Sequence, residues 1–123
     1  MPASGSSWKR KPFKDGLPLP YQATFDSEQF ARLKEGLIPR EMEDKWFIYY
    51  EEPHLFLHRS WTGQPVYRLK LRAVSNGAEV IETLWSKDLA DVSHWGVDYQ
   101  VQLLDFLVFE SLARSGKAIS PTP

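Results

Sequence analysis

The sequence contains no cysteine among its 123 residues. A disulfide framework and a thiolate metal site are therefore both excluded. The chain is nevertheless long enough to form a hydrophobic core, because a domain of this size buries roughly two-thirds of its unfolded surface. The lack of cysteine is compatible with a reducing compartment, and we expect a cytoplasmic protein.

The sequence also lacks any run of about 18 apolar residues, so we expect no membrane-spanning helix and no membrane partner. Basic residues near the N-terminus are not followed by an apolar run, so we expect no secretory signal. The three histidines are scattered, without a pair at the spacing of a helical metal site. Because a glycine-rich phosphate loop is missing as well, we predict neither a metal nor a cofactor.

Excess charge of either sign is also missing, since 15 lysines and arginines nearly balance 16 aspartates and glutamates. A net charge of −1 makes nucleic acid an unfavoured partner, because such binders rely on neutralising phosphates. The charges are grouped along the chain. Residues 9–14 and 59–72 are basic, whereas residues 41–52 are acidic.

Composition divides the chain into three parts. Residues 1–23 are rich in proline, glycine, serine and lysine without hydrophobic periodicity, which predicts a basic tail that is partly extended or disordered. Residues 24–117 are predicted to form a single α+β domain, and residues 118–123 a C-terminal tail. Within the first segment, Trp8 and Phe13 could pin the tail onto the domain or onto a partner.

Two segments have helical periodicity. Residues 27–36 place Phe30 and Leu33 on one face after a possible cap at Thr24 or Asp26. Residues 97–116 predict a long amphipathic helix that ends at Gly116. Its apolar stripe consists of Val97, Val101, Leu104, Val108 and Leu112, widened by Leu103 and Leu107.

Four segments between these helices are dense in aromatic and β-branched residues, which predicts strands at 45–51, 54–61, 65–74 and 78–85. The last two are separated by Asn76-Gly77, which is typical of a type I′ hairpin turn. Because all three connections are short, the sequence predicts an antiparallel meander. The expected fold is therefore α+β: a helix, a four-stranded meander, and a long C-terminal helix packed on one sheet face.

Strand parity predicts which side chains share a face, because opposite residues in a ladder point to the same side. With Thr62-Gly63 as a two-residue turn, His58 pairs with Tyr67, and Leu69 pairs with Leu84. One face is then nearly all apolar and is the expected seat of the C-terminal helix. It carries Phe47, Tyr49, Phe56, His58, Tyr67, Leu69, Leu71, Ala73, Val80 and Leu84. A three-residue turn would reverse the parity of the last two strands and is left open.

The opposite face combines aromatic and basic side chains. We predict a ligand-binding surface there, formed by Tyr50, Arg59, Trp61, Arg68 and Trp85. Its partner would be an anionic small molecule or an acidic protein segment, because guanidinium groups match phosphate and carboxylate. Pairing of the arginines with glutamates is the structural alternative.

No catalytic residue can be assigned from the sequence. His58 fits a core position, and Ser60 has no acid evidently placed to orient a base beside it. Three functional alternatives stay open. They are a small enzyme acting on a nucleotide or ADP-ribose-like substrate, with His58 and Arg59 central; a single-stranded nucleic-acid binder; and a homodimer that buries the aromatic face.

The segment "MEDKWFIYYEEPHLFLHRSWTGQPVYRLKLR", residues 42–72, resembles a small uncharacterised bacterial family. The shared pattern is MEDKWF followed by a tyrosine and an HRSWTG hairpin. Members of this family occur alone and beside ADP-ribosylglycohydrolase-like domains. The resemblance implies an accessory role in nucleotide or ADP-ribose metabolism, without a catalytic residue to carry over.

Overall fold

A computed structural model describes residues 3–39 and 45–112. The strands in these ranges are β1 (Gly16–Pro18), β2 (Thr24–Asp26), β3 (Trp46–Glu51), β4 (His54–Arg59), β5 (Pro65–Val74) and β6 (Gly77–Ser86). The helices are α1 (Ser27–Glu35), α2 (Lys87–Ala90) and α3 (Val97–Asp105), followed by a π-helical segment, Phe106–Leu112. None of the described helices is long and apolar enough to cross a membrane.

All six strands belong to one antiparallel sheet in the order β1-β6-β5-β4-β3, with β2 also paired to β6. The predicted α+β class with an antiparallel sheet is confirmed. The predicted four-stranded sheet is wrong, because β1 and β2 extend it beyond β6. These two strands have only three residues each, too few for an alternating pattern to identify a strand. Backbone pairing with an existing strand edge forms them, and local side-chain preference does not signal such pairing.

The first helix agrees with its sequence signal. The amide of Gln29 donates to Asp26 Oδ1 at 2.8 Å, and the amide of Asp26 donates to Gln29 Oε1 at 2.9 Å. This reciprocal pair is a capping box, which satisfies two backbone donors at the start of α1. Gly36 follows the helix with a φ of 72°, a conformation that favours glycine.

The predicted single long C-terminal helix is wrong within the described residues. The α-helix ends at Asp105, and the chain continues in the wider π-helical turns of Phe106–Leu112. Wider turns shift the phase of the side chains, so a stripe drawn at 3.6 residues per turn does not continue through both segments. The predicted helix end at Gly116 and the predicted tail lie outside the described residues.

A bulge between β4 and β5 corrects the predicted strand parity. Residues 60–63 form a four-residue loop, and the pairing then shifts so that Val66 is an extra residue on β5. Leu57 consequently pairs with Tyr67, and Phe56 pairs with Arg68. The predicted pair His58–Tyr67 is wrong, because one inserted residue exchanges the two faces of a strand. The predicted pair Leu69–Leu84 is wrong because a second bulge, between β5 and β6, shifts the pairing at Lys70/Leu71, so that Leu69 pairs with Thr83.

The C-terminal helix packs on the side of β3 and β4 opposite to the one predicted, whereas its predicted contact with the side of β5 that carries Tyr67 and Leu69 is confirmed. Leu104, Leu107 and Val108 share a buried cluster with Leu33 of α1. The sheet residues of this helix-covered face include Ile48, Leu55, Leu57, Tyr67 and Leu69. Because the bulge moves Tyr67 and Leu69 to the side that carries Leu55 and Leu57, this face is the larger of the two apolar surfaces of the sheet. Both helices pack on it for that reason.

The second face of the sheet is covered by the N-terminal segment, defined here as residues 3–15. Ala3 and Trp8 pack against Phe47 and Tyr49, which form a separate hydrophobic cluster. The amide of Ala3 donates to the carbonyl of Glu35 at 2.7 Å. The division of the chain into a tail (1–23) and a domain (24–117) stays a prediction, although part of the first segment lies on the sheet.

The hairpin between β5 and β6 differs from its predicted turn. Gly77 pairs with Val74, so the two connecting residues are Ser75 and Asn76. A type I′ turn centred on Asn76-Gly77 is excluded, because Asn76 does not have a positive φ. Gly77 instead permits close approach of β2, since a Cβ atom there would lie 1.8 Å from the Phe25 carbonyl oxygen.

Candidate functional site

A cleft of about 570 Å³ opens beside the loop that joins β4 to β5. Four parts of the chain besides this loop contribute to it: the N-terminal segment, the residue before β3, the end of β4 and helix α2. The lining residues are Lys11, Lys45, Arg59, Trp61, Thr62, Gln64 and Leu89. Its volume lies in the range of small-molecule sites, about 300–1,000 Å³.

The cleft is positively charged. Three of its described lining residues are cationic and none is acidic. Across residues 3–39 and 45–112, no ion pair neutralises Lys11, Lys45 or Arg59. Cations that converge on a concave surface focus a positive potential, so the described lining favours an anion over a cation.

Arg59 is held by an aromatic stack. Its guanidinium lies 5.0 Å from the ring centroid of Trp46, whose ring stacks on Tyr67 at 6.3 Å. The Tyr67 hydroxyl donates in turn to Oε1 of Gln100 in α3. Burial raises the pKa of Tyr67 well above its usual range, so the hydroxyl remains a donor at neutral pH. The stack therefore positions a charged guanidinium on a packed support.

Trp61 supplies an exposed aromatic surface at the same cleft. Its side chain is 59% exposed. Its neighbour Thr62 accepts a hydrogen bond from the amide of Gln64 at 3.1 Å, which tightens the loop. An exposed indole beside cations suits a ligand that combines a planar ring with negative charge.

The N-terminal segment places Lys11 at the cleft. The amide of Lys11 donates to the carbonyl of Gly63 at 2.8 Å, and Trp8 Nε1 donates to the carbonyl of Ser60 at the same distance. Gly63 has a φ of 74°, and a Cβ atom on it would lie 2.9 Å from the Cα atom of Arg10. Glycine is therefore required here both for the loop conformation and for close packing of the segment.

The structure places two of the five predicted ligand-binding residues, Arg59 and Trp61, at the cleft. Tyr50 packs edge-on against Phe30 with ring centroids 5.8 Å apart, and Trp85 is buried. The predicted role of each residue in binding stays a prediction.

Arg68, which was expected on the same face as Arg59, lies on the opposite face because of the bulge. Its guanidinium lies 5.2 Å from the ring centroid of Phe13 and 3.9 Å from a carboxylate oxygen of Glu82. Arg59 and Arg68 therefore cannot share one anion site.

Three polar cleft residues were missed in the sequence: Lys11, Lys45 and Gln64. The basic run at residues 9–14 is evident in the sequence, but its composition predicts a tail. Lys45 precedes a strand that was recognised, and its backbone carbonyl accepts from the amide of Ser60 at 2.9 Å. Gln64 carries no local signal, since its position depends on the length of the loop before it.

His58 lies outside the cleft, beneath the N-terminal segment. It is 1% exposed and stacks on Tyr49 at 5.7 Å. Its Nδ1 atom lies 3.0 Å from the Gly63 carbonyl and must donate, because a carbonyl oxygen only accepts. In the described part of the chain, Nε2 has no hydrogen-bond partner. This arrangement fits a neutral structural histidine and not a base acting on a ligand.

Acidification should destabilise the protein through His58. Burial, opposed by the Gly63 hydrogen bond and reinforced by Arg10, lowers the pKa of His58 in the folded state. The unfolded chain then binds more protons as the pH falls below about 6.5, so stability present above that pH is lost below it. Denaturant unfolding followed by tryptophan fluorescence should show a lower midpoint at about pH 5.5 than at about pH 7.5.

His58→Asn should flatten this pH dependence, because asparagine keeps a donor and does not titrate. Burial and the charges of Arg68 and Lys70 also lower the pKa of His54, against the opposing effect of Glu82, so part of the slope should remain. An unchanged slope in His58→Asn would contradict the assignment.

The described residues contain no group of three or more histidine, cysteine, aspartate or glutamate side chains that could hold a metal ion.

The family resemblance of residues 42–72 stays a prediction. No family model matches the chain, and no curated protein or solved structure is significantly similar to it.

Proposed function

We propose that this protein is an accessory binding domain that holds an anionic, nucleotide-like small molecule in the cleft beside Arg59 and Trp61. The observation that supports this proposal is the convergence of three cations, none of them in an ion pair with a described residue, and an exposed indole on one concave surface. Phosphates would contact Lys11, Lys45 and Arg59, and a planar base would stack on Trp61.

A small molecule fits the cleft better than an acidic protein segment does. Lys11, Lys45 and Arg59 line one cleft of about 570 Å³, a volume in the range of small-molecule sites. Binding without catalysis is the simpler chemistry here. The lining residues of the described cleft include no histidine, cysteine or carboxylate that could act as a base or activate a nucleophile.

Arg59→Ala should remove about half or more of the thermal stabilisation that an anionic ligand provides. A ligand at about 100 times its Kd raises the free energy of unfolding by about 2.7 kcal/mol, and loss of a charge-assisted contact weakens binding by about tenfold or more. The measurement is a thermal-shift screen of nucleotides and ADP-ribose on wild type and variant.

Arg72→Ala is the matched control, since it also removes a guanidinium group. Arg72 lies near the end of β5 that is remote from the cleft. Arg72 pairs with Glu79 and does not line the cleft. Ligand-induced shifts should survive in this variant. If no nucleotide or ADP-ribose stabilises the wild type, or if Arg72→Ala loses the shift as Arg59→Ala does, the proposed site is wrong.

A further inference from the structure

A second, smaller cleft of about 260 Å³ adjoins the first. Lys11 and Gln64 line both clefts, so these side chains lie where the two meet. The remaining lining residues of the second cleft come from the N-terminal segment, from β5 and from the β6–α2 junction. They are Pro12, Lys14, Asp15, Pro65, Ser86 and Asp88.

The two clefts differ in charge. The first has three cations and no described carboxylate, whereas in the second the charges of Lys11 and Lys14 are balanced by Asp15 and Asp88. A phosphate in the second cleft would be repelled by two carboxylates, and an ammonium group would be repelled by two lysines. A neutral group rich in hydroxyls suits it better, because hydroxyls donate to carboxylates and accept from ammonium and amide groups.

The carboxylates of the second cleft stand on ordered backbone. The carbonyl of Asp15 accepts from the amide of Lys87 at 3.0 Å, and the next residue, Gly16, pairs with Ser86 across the sheet. Asp88 lies in the first turn of α2. The two acidic residues are therefore positioned by the pairing of β1 with β6, which favours recognition of a group with fixed hydroxyl geometry.

We infer that the ligand is a nucleoside diphosphate sugar that spans both clefts. The base lies against Trp61, the diphosphate lies at Lys11, Lys45 and Arg59, and the sugar occupies the second cleft between Asp15 and Asp88. Carboxylates commonly accept hydrogen bonds from the hydroxyls of a sugar in this way. The inference rests on the proposed function and adds the chemical class and the orientation of the ligand.

Isothermal titration calorimetry tests the orientation by comparing ADP with ADP-ribose and ADP-glucose, and UDP with UDP-glucose. Wild type should prefer the sugar-bearing ligands by about tenfold, the effect of one or two well-formed hydrogen bonds. Asp15→Asn should reduce this preference to about twofold, since a neutral amide accepts hydrogen bonds more weakly than a carboxylate. Asp88→Asn provides a second, independent variant with the same expectation.

Arg59→Ala should weaken the binding of diphosphates and of diphosphate sugars by the same factor. The ratio of their Kd values should therefore stay unchanged. Asp91→Asn is the matched control, because it makes the same chemical change at a residue that pairs with Lys87 at 3.1 Å and lines neither cleft. It should keep the full preference. Equal affinity of wild type for diphosphate and diphosphate sugar would overturn this inference alone. Failure of every ligand to bind would overturn the proposed function as well.

Discussion

Trp8→Ala should lower the free energy of unfolding by about 2–3 kcal/mol, a large effect for a residue in a segment whose composition predicts a tail. Two losses combine in this variant. The indole packs against the cluster of Phe47 and Tyr49, and its Nε1 donates to the carbonyl of Ser60 at 2.8 Å. Removing the ring also uncovers aromatic side chains on the second face of the sheet. Urea denaturation monitored by circular dichroism measures the change.

Trp95→Ala is the control for this experiment, because it removes the same side chain from an exposed position. Trp95 is 62% exposed and contacts the ring of Tyr99 at 5.1 Å. Its replacement should cost less than about 1 kcal/mol. If Trp8→Ala lowered the free energy of unfolding as little as Trp95→Ala does, the N-terminal segment would not contribute to folding. The position of Lys11 at the cleft would then lose its support.

Leu104→Ala should destabilise the protein by about 3 kcal/mol, the typical cost of a cavity left by a buried leucine. Leu104 is completely buried and belongs to the same cluster as Leu33, Leu55 and Leu57. The substitution leaves helix propensity slightly improved, so the loss reports packing and not helix formation. Chemical denaturation at neutral pH is the appropriate measurement.

Phe106→Ala removes a larger side chain only two residues away, yet it should cost less than about 1 kcal/mol. Phe106 is 54% exposed at the start of the π-helical segment. The contrast between the two variants tests the orientation of the C-terminal chain on the sheet. A larger loss in Phe106→Ala than in Leu104→Ala would show that this orientation is wrong.

The candidate site illustrates how far sequence reasoning reaches. Arg59 and Trp61 alternate with His58 and Ser60 along one strand and its loop, so the sequence predicts that the two share a face, because parity within a single strand is local information. The structure brings both to the cleft. Arg68 was grouped with them across two strands, and one extra residue at Val66 moved it to the other face. Register between strands depends on loops and bulges, so a grouping across strands is less secure than one within a strand.

The sequence by itself determined the elements whose signals are local: the first helix with its cap at Thr24 or Asp26, the four aromatic and β-branched strands, and the antiparallel class of the sheet. Only the tertiary structure decided the remainder. The strands β1 and β2 exist through pairing with β6, the N-terminal segment is held on the second face of the sheet, and Lys11 reaches the cleft through a bond to Gly63. Side-chain periodicity encodes which residues prefer a buried face, whereas contacts between distant segments depend on backbone partners that no local pattern specifies.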